Sequence, residues 1–411
     1  MTIVPPLNSD NNKADNSPRL RILLIYDRLY PHSIGGFERF YRDIAERLAT
    51  RHDVTFLTRT QWADNERPDP PAGVRLVALD CGLEVYTASG RRRILPPVRF
   101  GIGVLAHLLR NRRRYDIVQT GSFPFFALLS AAMVRTLGGP PVVTDWIEVW
   151  SDDYWKRYLG PIGGRIGAFV QRLCIRLTSD AFTLSQLTAD LLRKHGYRKR
   201  LVILKGMSTS VAPTPLRLQR DTLVVFAGRH IPEKHAAAIP GAISIARQHI
   251  AGLRALVFGD GPEHSKLLAE IARLHLEDVV NCPGFVRWHE VDGAMRSAMC
   301  VILPSEREGY GAVVMEGIER GTPAIAVRGP DNAATSLIVE NVNGFVAASI
   351  DPSELAAQIV KVYRGGEELL SRTHQWFNAH AHEVSIEASI ASIEQTYRRI
   401  ARRRTPNLAS D

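Results

Sequence analysis

Arg21-Ile-Leu-Leu-Ile-Tyr-Asp27, the loop Tyr30-Pro-His-Ser-Ile-Gly-Gly36, the stretch from Phe37 to Thr50 and then Asp53-Val-Thr-Phe-Leu-Thr58 are the segments whose reading decides the fold. The first is a continuous apolar run of strand length, as a strand buried on both faces of a parallel sheet requires. The third places Phe37, Phe40, Tyr41, Ile44 and Leu48 at the 3.6-residue period of an amphipathic helix. The fourth is again apolar and short. Strand, helix and strand in that order make a βαβ unit.

The alternation continues outward from there. Strands are expected at 74–79, 115–120, 141–144, 181–184 and 202–204, with helices at 98–110, 125–137, 164–177 and 188–195. This describes an open, doubly wound α/β domain over residues 19–205, after a disordered leader at 1–18. Residues 206–220 carry two prolines without periodicity and read as a linker. A second alternation occupies 221–385. Its strands are expected at 222–227, 255–258, 279–281, 300–303 and 324–327, and its helices at 236–249, 263–274, 290–298, 312–320 and 353–363. A last helix is expected at 386–404. In open α/β sheets ligands bind beyond the carboxyl ends of the strands, so the loops there are the places to look for chemistry.

Composition narrows the class. The chain has 411 residues, 45% of them hydrophobic and 23% charged, which suits a folded protein. Cys81, Cys174, Cys282 and Cys300 lie too far apart for a zinc motif and are too few for a disulfide scaffold. They read as small buried side chains in a reducing compartment. The longest nearly apolar run, Phe123 to Val134, is shorter than the roughly 20 residues of a membrane span. The polar first residues show no signal peptide. The expected location is therefore the cytoplasm or the inner face of a membrane. The net charge of +10 fits nucleic acid, anionic lipid, an anionic substrate or plain solvation.

Four loops follow expected strands. Gly35-Gly36 opens a helix and reads as a tight turn or an anion site. Ala227-Gly-Arg-His-Ile-Pro-Glu-Lys234 sends Arg229 and Lys234 from one strand end, either as surface charges or as a diphosphate clamp. Phe258-Gly-Asp-Gly-Pro-Glu263 is a glycine-rich turn before a helix, lacking both the dinucleotide fingerprint and a P-loop lysine. Pro304 to Glu316 holds Glu308, the pair Gly309 and Gly311, and Glu316 about one turn into a helix beside Val313, Val314 and Met315. An unpaired carboxylate is costly in apolar company, and a ribose diol is one partner that would explain it.

Together these loops resemble glycosyltransferase family 4, the retaining, nucleotide-sugar-dependent enzymes of the GT-B fold, over about residues 20–400. The resemblance rests on Gly35-Gly36-Phe37-Glu38, Gly228-Arg229 with Lys234, Gly259-Asp-Gly-Pro262, Gly284-Phe285-Val286, and Glu308-x7-Glu316. It implies two Rossmann-like domains facing a cleft, acceptor in the first and donor in the second, with the last helix crossing back to the first. It also implies a role for each matching residue. Arg229 and Lys234 stabilise the leaving diphosphate, Glu308 contacts the transferred sugar and Glu316 binds the ribose. Phe285 and Val286 hold the base. Gly35, Gly36, Gly228, Gly259, Gly309, Tyr310 and Gly311 complete the donor site. No cofactor or essential metal is implied; the nucleotide sugar is a co-substrate, and a hydroxyl-bearing acceptor is the other partner.

The sequence departs from that pattern on the acceptor side. Where the family often has Trp-His-Glu, Thr144-Asp-Trp-Ile-Glu-Val-Trp150 stands, with Ile147 in the place of histidine. Asp145 and Glu148 are the candidates for a polar role there. Gln119-Thr120 replaces another usual histidine, and Lys205-Gly206 replaces the usual Asn-Gly before the linker; Lys205 is either a cleft cation or a surface charge. Arginine runs at 91–93, 110–114 and 398–404 read as solvated helix ends or as an anionic-membrane patch, while Arg229 and Lys234 place part of the positive charge in the cleft. No nucleic-acid motif is evident. The alternatives to an enzyme are a non-catalytic sugar-nucleotide binder, prompted by Ile147, and a basic membrane-surface scaffold.

Overall fold

The computed structural model describes residues 18–62, 68–80, 95–209 and 215–404. The expected leader, Cys81 and the Arg91–Arg93 run lie outside them. The first half contains β1 (Arg21–Ile25), α1 (Gly36–Ala49), β2 (Asp53–Arg59), β3 (Arg75–Leu79), α2 (Leu95–Asn111), β4 (Ile117–Gly121) and α3 (Phe126–Thr136). It continues with β5 (Val142–Asp145), α4 (Asp152–Leu177), β6 (Asp180–Thr183), α5 (Gln186–Lys194) and β7 (Arg200–Ile203). The seven strands form one parallel sheet in the order β3-β2-β1-β4-β5-β6-β7.

The second half begins with β8 (Asp221–Ala227), α6 (Ile239–Ala246), β9 (Arg254–Phe258), α7 (His264–Arg273), β10 (Val280–Gly284), α8 (Trp288–Ser297) and β11 (Ala298–Leu303). It ends with β12 (Arg307–Glu308), α9 (Ala312–Glu319), β13 (Ala324–Val327), β14 (Asp331–Asn332), β15 (Gly344–Ala347), α10 (Pro352–His380) and α11 (Ile386–Arg404). Six strands form a second parallel sheet, β10-β9-β8-β11-β13-β15, and β12 pairs with β14. In each sheet the order reverses beside the first strand, between β1 and β4 and between β8 and β11. Those switch points open onto one cleft.

Strand β1 shows how the apolar run works. Ile22 and Leu24 face a cluster containing Tyr41, Ile44, Phe182 and Tyr397. Leu23 and Ile25 face a second cluster with Phe100, Val104, Leu128 and Ala168. Because successive strand residues point to opposite faces, a run apolar throughout covers both.

The C-terminal helix does cross back. On α11 the Tyr397 hydroxyl donates to Gln119 of β4, Arg399 pairs with Asp180 of β6, and Glu394 lies 2.9 Å from Arg51. One member of the 398–404 run is thus an ion-pair partner and not a free surface charge. The linker passes the segment just before this helix closely: Ser208 bridges Ser385, and a side-chain carbon on Gly206 would meet the Val384 carbonyl oxygen at 1.7 Å.

Three expected helices are corrected. The helix expected from 164 begins at Asp152, where the Ser151 hydroxyl accepts from the Tyr154 amide; Gly160 (φ 78°) and Pro161 kink it and hide its first turns from the 3.6 pattern. The helix expected over 236–249 shrinks to α6, because 3-10 turns at Pro232–Lys234 and Ala236–Ala238 take up the approach. The helix expected over 353–363 runs on to His380 through a break at Gly366, and the short strand β15 went unread.

Candidate active site

A cleft of about 1190 Å³ lies between the carboxyl ends of the two sheets. From the second sheet it takes Gly228, Arg229, Lys234, Gly259, Phe285, Val286, Glu308, Gly309, Tyr310, Gly311 and Glu316, and from the first Gly35, Gly36 and Glu148. The structure therefore brings together every residue expected at the donor site. It leaves out Asp145 and Lys205.

The loops are stitched by their own backbones. The Gly228 amide donates to the Phe258 carbonyl (3.1 Å), the His230 amide to Asp260 (2.9 Å) and the Gly259 amide to Gly284 (2.8 Å). Gly259 sits at φ 115°, and a side-chain carbon there would meet the Gly228 carbonyl oxygen at 1.9 Å. Only glycine permits two turns to lie this close at that backbone angle. Pro232 starts the 3-10 turn that carries Lys234 back toward the cleft.

Among the described residues five Arg or Lys ion pairs join side chains that line the cleft, and three of them span it; Arg28 meets Glu38 within the first half, and Arg157 reaches Glu306 across the cleft at 3.3 Å. Lys234 pairs with Glu308 inside the second half. Arg39 of α1 pairs with Glu316 of α9, and its guanidinium lies 4.1 Å over the Trp288 ring. Arg307 pairs with Glu148, while its guanidinium lies 4.5 Å over Trp150 and 4.2 Å over Tyr154. The Tyr154 hydroxyl in turn donates to Glu233. The carboxylate of Glu316, expected to lack a partner among apolar neighbours, has one in Arg39 across the cleft. Seven Arg and Lys side chains and seven Glu side chains line the cavity, so the cleft is locally balanced and does not concentrate the chain's positive charge.

Glycine also sets how closely the halves meet. A carbon on Gly309 would lie 2.5 Å from the Ile147 carbonyl oxygen and 2.9 Å from Glu148 Cγ, and one on Gly36 would lie 3.0 Å from Ala312 Cβ. Gly311, at φ 95°, caps α9, and Gly311, Ala312 and Val313 line the cleft. The amino ends of α1 and α9 thus converge, an arrangement suited to anionic groups.

Asp145 is corrected. It is buried at the end of β5, where it accepts from the Tyr41 hydroxyl and from Gln119 Nε2 at 2.8 and 2.9 Å. Burial raises its pKa from 3.8 to about 7 against the opposing hydrogen bonds of Tyr41 and Gln119. It anchors α1, β4 and α11 to one another and touches no cleft surface. Lys205 pairs with Glu383 at 3.6 Å, exposed and away from the cleft. Glu148 does line the cavity, as Arg307's partner and as acceptor for Trp150 Nε1 at 3.1 Å.

Sequence reasoning missed Arg39, Arg307, Trp150 and Tyr154. Trp150 stands in the acceptor-side segment quoted above, but nothing local marks a surface arginine as one that reaches across a cleft. Among the described residues one group, His230, Asp260 and His264, brings possible metal-ligand atoms within 4.8 Å. Its two histidines are joined Nδ1 to Nδ1 at 2.9 Å, a hydrogen-bond separation, and shorter than the roughly 3.3 Å between two nitrogens on a tetrahedral zinc.

Two doubly wound parallel sheets sharing a cleft at their carboxyl ends define the GT-B class. Residues 35–205 match the glycosyl transferase 4-like domain and residues 213–375 match glycosyl transferases group 1. The chain belongs to this family-4-like group of glycosyltransferases. It is 26% identical over 187 residues to the putative colanic acid biosynthesis glycosyltransferase WcaL of Escherichia coli K12, covering 43% of this chain and 45% of that protein. The chain spans less than half the length of the first curated relatives it matches. A longer match, 23% identical, joins 91% of it to 99% of the MMP alpha-(1->4)-mannosyltransferase of Mycolicibacterium hassiacum. Among solved structures, Anabaena Alr3699/HepE in complex with UDP and glucose superposes with a TM-score of 0.68 at 18% identity, covering 92% of this chain and 99% of that one. No helix among the described residues is long and apolar enough to cross a membrane.

Proposed function

We propose that this chain transfers a sugar from a nucleoside-diphosphate sugar to an acceptor hydroxyl with retention at the anomeric carbon. One observation carries the reading: Arg229, Lys234, Glu308, Gly309, Gly311 and Glu316 converge on a single cleft wall, facing Gly35 and Gly36. Similarity to a protein solved with UDP and glucose supports the same donor class.

Each part has a role in that reaction. As the sugar–phosphate bond breaks, negative charge grows on the departing diphosphate, and cations already in place lower the barrier most. Arg229 offers a fork of donors and Lys234 a point charge, with Glu308 steering the ammonium and reaching the sugar hydroxyls. Glu316 takes the ribose diol, exchanging Arg39 for it. Phe285, exposed on the cleft wall, and Val286 receive the base. With Ile147 in the cleft, that position offers no imidazole, and the leaving phosphate itself takes the acceptor proton. The reaction then needs neither a side-chain nucleophile nor a resident metal, and chelation is expected to leave turnover intact.

The test is Glu316→Ala. A thermal-shift screen against UDP-, GDP-, ADP- and dTDP-sugars identifies the donor through its stabilising effect on the wild type. The variant is expected to melt as the wild type does alone, to lose that response, and to lose at least about 100-fold in donor turnover. Full activity in the variant overturns the assignment. The second reading, a non-catalytic sugar-nucleotide binder, is favoured by Ile147; donor binding by calorimetry with no transfer across a broad acceptor panel would decide for it.

A further inference from the structure

The outer layer of the first half has a surface that the cleft does not explain. Helices α2, α3 and α4 turn their inner faces onto the same side of the sheet. On the opposite side of α4, Ile162 is 75% exposed, Ile166 59% and Phe169 60%. Their spacing, i, i+4 and i+7, makes one stripe directly after the kink at Gly160. Ile102 and Leu109 on α2 and Met133 on α3 are exposed as well. A helix on the surface of a globular protein normally places polar residues there.

The charge on this layer is strongly biased to one sign. Helix α4 holds Asp152 and Asp153 in its first turn, where they pair with Arg172 and Lys156, and Arg157 pairs with Glu306. Beyond those two acids, from Tyr154 to Ser179, the chain has no Asp or Glu and carries Lys156, Arg157, Arg165, Arg172 and Arg176. Helices α2 and α3 contain no acidic residue either, and α2 runs out into exposed Arg112, Arg113 and Arg114. A large apolar stripe bordered chiefly by cations is the composition of a helix lying in a membrane interface. Two copies of this face would set like charges against each other, which disfavours self-association through it.

We propose that the outer face of α4, continued by α2 and α3, docks on an anionic lipid bilayer. Ile162, Ile166 and Phe169 enter the boundary between headgroups and acyl chains, and the flanking arginines meet lipid phosphates. The same helix lines the cleft through Tyr154, Arg157 and Tyr158, so docking brings the cleft mouth to the membrane. Resting on the transferase reading, this makes the acceptor a hydroxyl carried on a lipid; the docking itself does not depend on that reading.

The experiment is co-sedimentation of the full chain with vesicles of phosphatidylglycerol and phosphatidylcholine, against phosphatidylcholine alone. Binding is expected only with the anionic lipid, and high salt should weaken it. Ile162→Ser/Ile166→Ser/Phe169→Ser should lower the partition at least about tenfold. Arg165→Glu/Arg176→Glu, which leaves the apolar stripe in place, should do the same. Both variants are expected to keep the wild-type melting temperature and nucleotide response. Equal sedimentation with neutral lipid, unchanged binding by either variant, or a wild-type dimer that the triple variant dissociates would overturn the proposal. Loss of the nucleotide response with vesicle binding intact would instead count against the transferase reading.

Discussion

Asp145→Asn separates a buried anchor from an acceptor-side catalytic group. The Asp145 carboxyl lies at the end of β5 under the hydroxyl of Tyr41 and the amide of Gln119, and Gln119 in turn accepts from Tyr397 of the C-terminal helix. Burial lifts its pKa from 3.8 to about 7, so the folded chain holds a proton that the unfolded chain has released. Below pH 3.8 the group is neutral in both states. As pH rises toward 7, the unfolded state gains ever more from ionisation, and folded stability falls. At up to about 1.4 kcal/mol per pH unit, the full interval costs about 4 kcal/mol, roughly 2 of it between pH 5 and 7. Asparagine keeps the shape and cannot ionise, and the unfolding entropy of a 411-residue chain is about 0.9 kcal/mol/K, so the melting temperature of Asp145→Asn relative to wild type should climb by about 3 °C from pH 5 to pH 8. Calorimetric melts of both proteins across that range measure it, with turnover assayed beside them and expected to stay within about threefold of wild type. A melting difference that is flat with pH would show that Asp145 does not carry the buried proton. Lost turnover with wild-type melting would return Asp145 to the reacting site.

The contacts across the cleft yield two further expectations. Arg307→Ala removes the Glu148 pair and both ring contacts at once, so the halves should separate; solution scattering is expected to show a larger radius of gyration, with kcat/KM down more than about tenfold, and a wild-type scattering curve would refute the latch. Gly309→Ala puts a carbon 2.5 Å from the Ile147 carbonyl oxygen, a backbone atom that cannot swing aside. Displacement on the ångström scale costs about 100-fold in rate, so turnover should fall by about that factor while nucleotide affinity, measured by calorimetry, changes only a few-fold; wild-type turnover would refute the close approach.

The periodic parts of the fold were legible, and the reasons are local. An apolar run such as Arg21–Ile25 can serve only a strand covered on both faces, and the glycine turns after β8 and β9 announce themselves because backbone must pass backbone there. What stayed hidden depends on distance along the chain. The first turns of α4 stay hidden because Gly160 and Pro161 interrupt the 3.6 pattern, while Gly164 and Gly167 are small so that Lys156 and Trp155 can pack against them. The donor-side carboxylates could be read from their spacing. Their partner Arg39 lies 277 residues from Glu316, and Arg307 lies 159 from Glu148. Asp145 was misplaced for the same reason. A strand end in an open sheet usually faces the cleft, but the hydroxyl of Tyr41 from the next layer turns this carboxyl inward.

On the proposed reading, a cleft that takes a diphosphate yet holds as many carboxylates as cations looks mismatched until the pairs are considered singly. Half-buried cations without partners would repel one another and lose part of their hydration, and Lys234 and Arg39 are held by Glu308 and Glu316. A donor that brings both phosphate and sugar hydroxyls satisfies each member of such a pair: phosphate oxygens take the cation, and hydroxyls take the carboxylate. Inorganic phosphate offers nothing to Glu308 or Glu316, so displacing the pair leaves carboxylates uncompensated. On that reading, selectivity for a sugar nucleotide over a simple anion is expected from the balance of charge in the cleft and does not require an excess. The chain's +10 must then lie elsewhere, and α2, which has no acid, with α4, whose five cations outnumber Asp152 and Asp153, are where the sequence places a large part of it.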